Sequence, residues 1–246
     1  MAAPRSLRWP TAATVAALAV LLWLGNWQLE RREWKHELMA RIEERAALAA
    51  QAMPDARSWP GLDLDLWEYR PVWAEGRFEH DAEAHVFTSL SDPRGALGGS
   101  GYWVMTPLRL ASGAAVIVNR GFVPLALKEP ATRRAGQVEG EVEVAGLVRE
   151  PQAAGPFVPD PDIAGNIWYA RDIGAIADAQ VSGDVAPFFI DAEASDRYPV
   201  PQGGETRLEL SDPHLGYAVT WFGLAGALGV VYLALCSARL RQRRVQ

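Results

Sequence analysis

Cysteine is nearly missing from this chain: of 246 residues, only Cys236 carries a thiol. One thiol permits no disulfide framework within a single copy. It also excludes covalent haem attachment through C-x-x-C-H, copper held by paired thiols and a zinc ribbon. Positive charge is in short supply too. Lys and Arg number 24 against 30 Asp and Glu, for a formal net charge of −6 and a pI near 5.3. No basic field is available to attract phosphates, so nucleic acid is excluded as a partner. Internal repeats and low-complexity tracts are absent, and the length allows one sizeable domain with appendages or two small ones.

What the chain does have is a long uncharged run at each end. Residues 215–235, "LGYAVTWFGLAGALGVVYLAL", carry no charge, and about 20 such residues suffice for a helix to cross the roughly 30 Å hydrocarbon core of a bilayer. Asp212 is placed to cap the free amides of the first turn and Pro213 fits its first position, so the helix starts near His214. Steps of three and seven residues put His214, Tyr217 and Trp221 within about 60° of one another, on one stripe.

The first run, "WPTAATVAALAVLLWLGNWQL", occupies residues 9–29. Arg5 and Arg8 ahead of an apolar stretch fit a secretory signal, but bulky Trp23 and Trp27 stand where a peptidase needs small residues, which favours an uncleaved anchor. Only eight residues, MAAPRSLR, precede it. The expectation is therefore a multi-pass protein of the bacterial inner membrane. Arg239, Arg241, Arg243 and Arg244 follow the second run, which places both termini in the cytoplasm and the large loop in the periplasm. Arg31, Arg32, Lys35, Arg41 and Arg45 beyond the first run nearly balance that signal. They alternate with Glu30, Glu33, Glu37, Glu43 and Glu44, as on a solvated helix face.

Between the runs the pattern changes twice. Leu38, Ile42, Ala46 and Ala49 keep a helical period that ends at Pro54. From about residue 66, short β-branched or alternating runs are separated by Gly, Pro and Asp. Strands are expected at 68–79, 84–90, 101–110, 114–123, 141–149, 187–193 and 206–210. Helical spacing is expected at 129–137 and 170–180, and a glycine-rich loop in "GALGGSGYW". The predicted organisation is a transmembrane helix at 9–29, a juxtamembrane helix at 30–53, a β-rich extracytoplasmic domain at 55–211, a second transmembrane helix at 214–235 and a basic cytoplasmic tail at 236–246. The fold class is an α+β membrane protein, two transmembrane helices flanking a mainly antiparallel sheet or partial barrel with small helices.

Few motifs could carry bond chemistry, so an enzyme is not expected. "GGSGY" lacks the final glycine of a nucleophile elbow and reads as loop, with its serine ahead of a strand. His80 and His85 flank "DAEA" at a spacing that suits neither a strand face nor a helix face, and read as solvent-exposed turn residues rather than metal ligands. In "VNRGFVP", 118–124, a strand is expected to end at Asn119 and Arg120, with Gly121 free to take a positive φ. Two readings stand there: Arg120 paired with a nearby acid in a tight turn, or Arg120 and Gly121 as a partner contact. His214, Tyr217 and Trp221 likewise read either as an interfacial belt or as a ligand with its packing aromatics. The small residues around Gly223 and Gly226 suit docking to another membrane helix.

Ten motifs, "GNWQLERREWK", "YRPVWAEGRFEH", "GYWVMTPL", "VIVNRGFVP", "GEVEVAGLVRE", "FVPDPD", "WYARDI", "FFIDAE", "GGETRLEL" and "HLGYAVTWFGLA", follow in order between about residues 25 and 226. Together they resemble the surfeit locus protein 1 family of cytochrome c oxidase assembly factors. The resemblance implies two membrane helices joined by a large loop domain. It also implies transient binding of haem a and help with its insertion into the main subunit of a haem-copper cytochrome c oxidase. The haem a synthesis enzyme is a further implied partner. The family's haem-linked histidine falls on His214, with Tyr217 and Trp221 in the same motif. The alternative is a membrane scaffold that stabilises the apo oxidase subunit without touching haem.

Overall fold

The computed structural model describes residues 8–208 and 212–244. They fall into two units, one made of the terminal helices and the other of residues 42–207.

In the helical unit, α1 (Arg8–Ala46) and α4 (His214–Arg244) are both long and apolar enough to cross a membrane. They run antiparallel. The Thr11 and Tyr232 hydroxyls are 2.6 Å apart at one end, and His36 Nε2 lies 2.8 Å from Asp212 Oδ2 at the other. Ala218 and Ala225, seven residues apart on α4, are buried, and Gly25 of α1 leaves no room for a Cβ beside the Phe222 ring. A seven-residue repeat of small residues is what a close helix pair requires. The outward faces carry Val219, Val230, Val231 and Leu233, each about two-thirds exposed. Apolar surface of that extent fits a lipid environment and identifies an α+β membrane protein.

The helix of residues 30–53 ends sooner than its period predicts. It stops at Ala46, and Gln51–Ala52 become strand β1, parallel to Val72–Trp73. The amides of 51–52 find a sheet edge there, and Asp55 then caps a 3₁₀ turn at Ala56–Gly61.

In the second unit the short α2 (Leu64–Trp67) leads into β2 (Pro71–Phe78), β3 (Ala84–Leu90), β4 (Gly99–Arg109), β5 (Ala115–Pro124), β6 (Val142–Arg149), β7 (Ile167–Trp168), α3 (Ile173–Gln180) and β8 (Val185–Ala192). The strand order is β1-β2-β6-β8-β5-β4-β3-β7, and β2 also pairs with β4 through Arg77–Arg109 and Phe78–Leu108. That extra pairing closes β2, β6, β8, β5 and β4 into a five-stranded barrel. Most pairs are antiparallel; β1–β2, β3–β7 and β5–β8 are parallel.

Strand β5 is buried on both faces. Val116 and Val118 join Val72, Leu108, Phe188 and Ile190 in one core, while Ile117 packs with Met105, Phe189 and the α3 residues Ile173 and Ile176 in another. This two-sided burial explains why its first four residues, Ala115–Val118, are continuously apolar instead of alternating. Asp172 caps α3 by accepting from the Ala175 amide.

Six of the seven expected strands correspond to β2, β3, β4, β5, β6 and β8. Thr206–Leu208 form no strand, and residues 209–210 lie outside the described residues. The glycine-rich segment is strand from Gly99 onward, with Ser100 paired to Ser89, so the serine is not in a loop.

Candidate functional site

His214 sits at the first position of α4. Its amide donates to Asp212 Oδ1 at 3.2 Å, so Asp212 caps the helix. The Asp212 carboxyl also receives His36 Nε2, with Arg32 Nε 3.6 Å away. Partial desolvation would raise its pKa, but the His214 amide and the His36 ring outweigh this and hold it below the usual carboxylate range.

The imidazole of His214 is half-buried, and its Nδ1 lies 2.7 Å from Gln28 Oε1 of α1. An amide oxygen only accepts, so Nδ1 carries a proton, and in the neutral ring the lone pair is on Nε2. Nε2 has no hydrogen-bond partner among the described residues. A ring held through one nitrogen with the other left basic is how a histidine is prepared to ligate a metal. Gln28 is the residue that sequence reading passed over. Its signal was one of two amides, Asn26 and Gln28, at the end of an apolar run.

The other stripe residues separate. Trp221 is half-buried, and its indole N–H is buried without an acceptor among the described residues. Tyr217 is 55% exposed. Gly223 and Gly226 face open space, where a Cβ would meet nothing.

In the barrel unit, the residues around Arg120 depart from expectation. Strand β5 runs through Asn119–Arg120 to Pro124, as the expected strand at 114–123 has it, and does not end at Asn119–Arg120 as the turn reading of VNRGFVP has it. The β4–β5 register shifts between Trp103 and Met105, opposite Phe122 and Asn119, so β5 holds one extra residue. Such a bulge re-aims a side chain without ending the ladder. Gly121, at φ +124°, absorbs it.

Arg120 is consequently buried, not presented at the surface. One of its N–H groups donates to the Gly136 carbonyl, its Nη1 lies 4.0 Å from Glu83 Oε2, and its guanidinium carbon stands 4.6 Å over the Phe78 ring.

Glu83 is the hub of this cluster. Its carboxylate takes a two-pronged contact from Arg133 and a 2.8 Å bond from His85 Nε2. His85 is only 4% exposed, which corrects its reading as a solvent-exposed turn residue: β3 begins at Ala84, and its inward face carries the ring to Glu83. His80 is half-buried with Nε2 at 2.8 Å from the Val138 carbonyl. Among the described residues, no group of three or more His, Cys, Asp or Glu stands together to hold a metal ion.

Comparison with known proteins bears on most of the chain. The SURF1 family model matches residues 15–226. The surfeit locus protein 1 of Homo sapiens is 38% identical over 221 residues, which cover 85% of this chain and 71% of the human one. That of Takifugu rubripes is 38% identical over 223 residues, covering 86% and 90% of the two chains. A SURF1-like protein of Drosophila melanogaster is 36% identical over 223 residues, covering 85% and 71%.

Proposed function

This chain belongs to the SURF1 family, and on that premise we propose that it is an assembly factor for a haem-copper cytochrome c oxidase. It binds haem a through His214 and assists its insertion into the main oxidase subunit. The observation that carries this reading is the Gln28–His214 hydrogen bond, which leaves Nε2 basic at the end of a membrane-spanning helix. Haem a is cargo here. One protein ligand holds it firmly enough to protect it and loosely enough to release it, whereas two would hold it as a resident group. The exposed Tyr217 ring and the Trp221 indole offer flat apolar surface one and two turns along α4, where an amphipathic macrocycle keeps its tail in lipid. The protein carries out no bond chemistry. It lies in the bacterial inner membrane with both termini in the cytoplasm, a topology supported by the arginines that follow the second run.

The experiment is an optical spectrum of the full-length protein purified from cells that make haem a. The wild type should show a reduced haem a band that His214→Ala loses. Retention of the band at unchanged position and affinity in that variant would remove His214 from the iron.

A second prediction concerns Gln28. Gln28→Leu should keep the fold but weaken haem a binding about 10- to 100-fold, the usual cost of losing an outer partner of a metal-bound histidine, with a shifted reduced band. If Gln28→Leu bound as wild type did, the hydrogen bond would be mere helix packing.

The open face of Gly216, Gly223 and Gly226 on α4 favours a second reading, a scaffold that docks the apo oxidase subunit helix to helix. It expects no haem in either protein and loss of the co-purifying subunit when Gly223 is enlarged.

A further inference from the structure

The barrel unit holds a cavity of about 330 Å³ for which the haem reading has no use. That volume lies at the small end of the roughly 300–1,000 Å³ typical of small-molecule pockets. Its buried end is formed by Arg120 and Val144, its walls by Phe78, Val142 and Pro201, and its exposed rim includes Glu143, Glu193 and Arg197.

Charge is out of balance at the buried end. Two buried guanidiniums, Arg120 and Arg133, face one carboxylate, Glu83. Glu83 is already committed to Arg133 and His85, and the nearest guanidinium nitrogen of Arg120, Nη1, makes no hydrogen bond among the described residues. Burial drives the Arg120 pKa down to about 10, offset in part by Glu83. It therefore remains charged at neutral pH. A buried charge that shares one carboxylate with a second guanidinium is costly to leave under-neutralised, and Arg120 also lines the cavity.

We propose that this cavity binds a carboxylate, its single negative charge held at Arg120 and its apolar body laid against Phe78, Val142 and Val144. The surplus to be neutralised is one charge, and on the rim Glu143 and Glu193 outnumber Arg197, so phosphates and dicarboxylates are disfavoured. The aliphatic and aromatic walls ask for an apolar body behind the charge. The carboxylate comes either from a free small acid or from the C-terminus of a polypeptide.

The test is isothermal titration of the folded, full-length protein in detergent with benzoate, beside benzamide as its uncharged isostere. Benzoate should bind saturably and benzamide at least about tenfold more weakly, as expected when a buried charge loses its counter-ion. Arg120→Gln should abolish the benzoate signal. Because that change also removes the donor to Gly136 and can unfold the barrel, Val142→Phe is the second variant: it fills the cavity and leaves every hydrogen bond of Arg120 in place. It too should lose at least about tenfold in affinity. Absence of saturable benzoate binding to the wild type, equal affinity for benzamide, or unchanged affinity in a folded Val142→Phe would each overturn the proposal. Competition then separates the two sources. Displacement of benzoate by an apolar tetrapeptide acid, but not by its C-terminal amide, identifies a polypeptide end; no displacement by either identifies a free acid. Both results uphold a carboxylate site. Neither depends on haem, since His214 is untouched.

Discussion

Replacing Glu83 with glutamine should cost the barrel about 3–5 kcal/mol, the usual loss when one partner of a buried ion pair is removed. Glutamine keeps the shape but not the charge, so Arg120 and Arg133, respectively 7% and 4% exposed, would be left buried without a counter-ion. The amide NH₂ would also point donors at donors. Thermal unfolding of the full-length protein, followed by circular dichroism in the strand region, should show a midpoint lowered by about 10 °C or more. A shift of only a degree or two would mean that water, not Glu83, compensates the arginines.

The same residue sets an acid limit. Burial would raise the Glu83 pKa, but His85 and Arg133 outweigh it and hold the carboxyl below its ordinary range. A group whose folded pKa is depressed contributes stability that is fully present above its unfolded pKa, about 4.3, and is lost as pH falls through the folded one. The wild type should therefore lose this contribution only in acid below about pH 4, while Glu83→Gln should lack that part of the pH slope.

Gly121→Ala should be nearly as damaging, at about 2–5 kcal/mol, from left-handed strain and overpacking together. Gly121 has φ +124°, and a Cβ there would run into the backbone carbonyl of Gln202. That carbonyl cannot simply move aside. It accepts from the Phe122 amide at 2.9 Å, and the Phe122 carbonyl accepts from the Gln202 amide at 2.9 Å. The Gln202 side chain in turn holds Leu97 through both its amide and its carbonyl, and the neighbouring Glu205 receives the amides of Arg94 and Gly95. The control is Gly113→Ala, at φ +89° with open space around it, where the expected cost is about 1 kcal/mol from conformation alone. Denaturant titration of the two variants should separate them clearly. Equal losses would show that packing against Gln202 contributes nothing.

The helices and most strands were legible because their signals are local. An uncharged run of about 20 residues has few alternatives to a membrane helix, and β2, β3, β6 and β8 are bounded by turn residues. What stayed hidden depends on partners distant in sequence. The strand at 51–52 forms only because β2 offers an edge, and the bulge at Arg120 depends on the register of β4. His85 read as exposed because nothing in "HDAEAH" reveals an arginine 48 positions later that shares its acid. At the helix pair, the stripe of His214 and Trp221 could be read from angular arithmetic. Gln28, 186 residues away, could not be matched to His214 without the fold.

The position of β8 carries a consequence for biosynthesis. It is the last strand among the described residues, yet it sits between β5 and β6 and closes the barrel. More than a hundred residues separate it from β2, so at the usual pace of translation the domain waits on the order of ten seconds with two unpaired edges. A chain broken off before residue 185 would therefore not be a smaller working protein. It would be a membrane-tethered set of open strands, prone to sticking to its neighbours and marked for proteolysis.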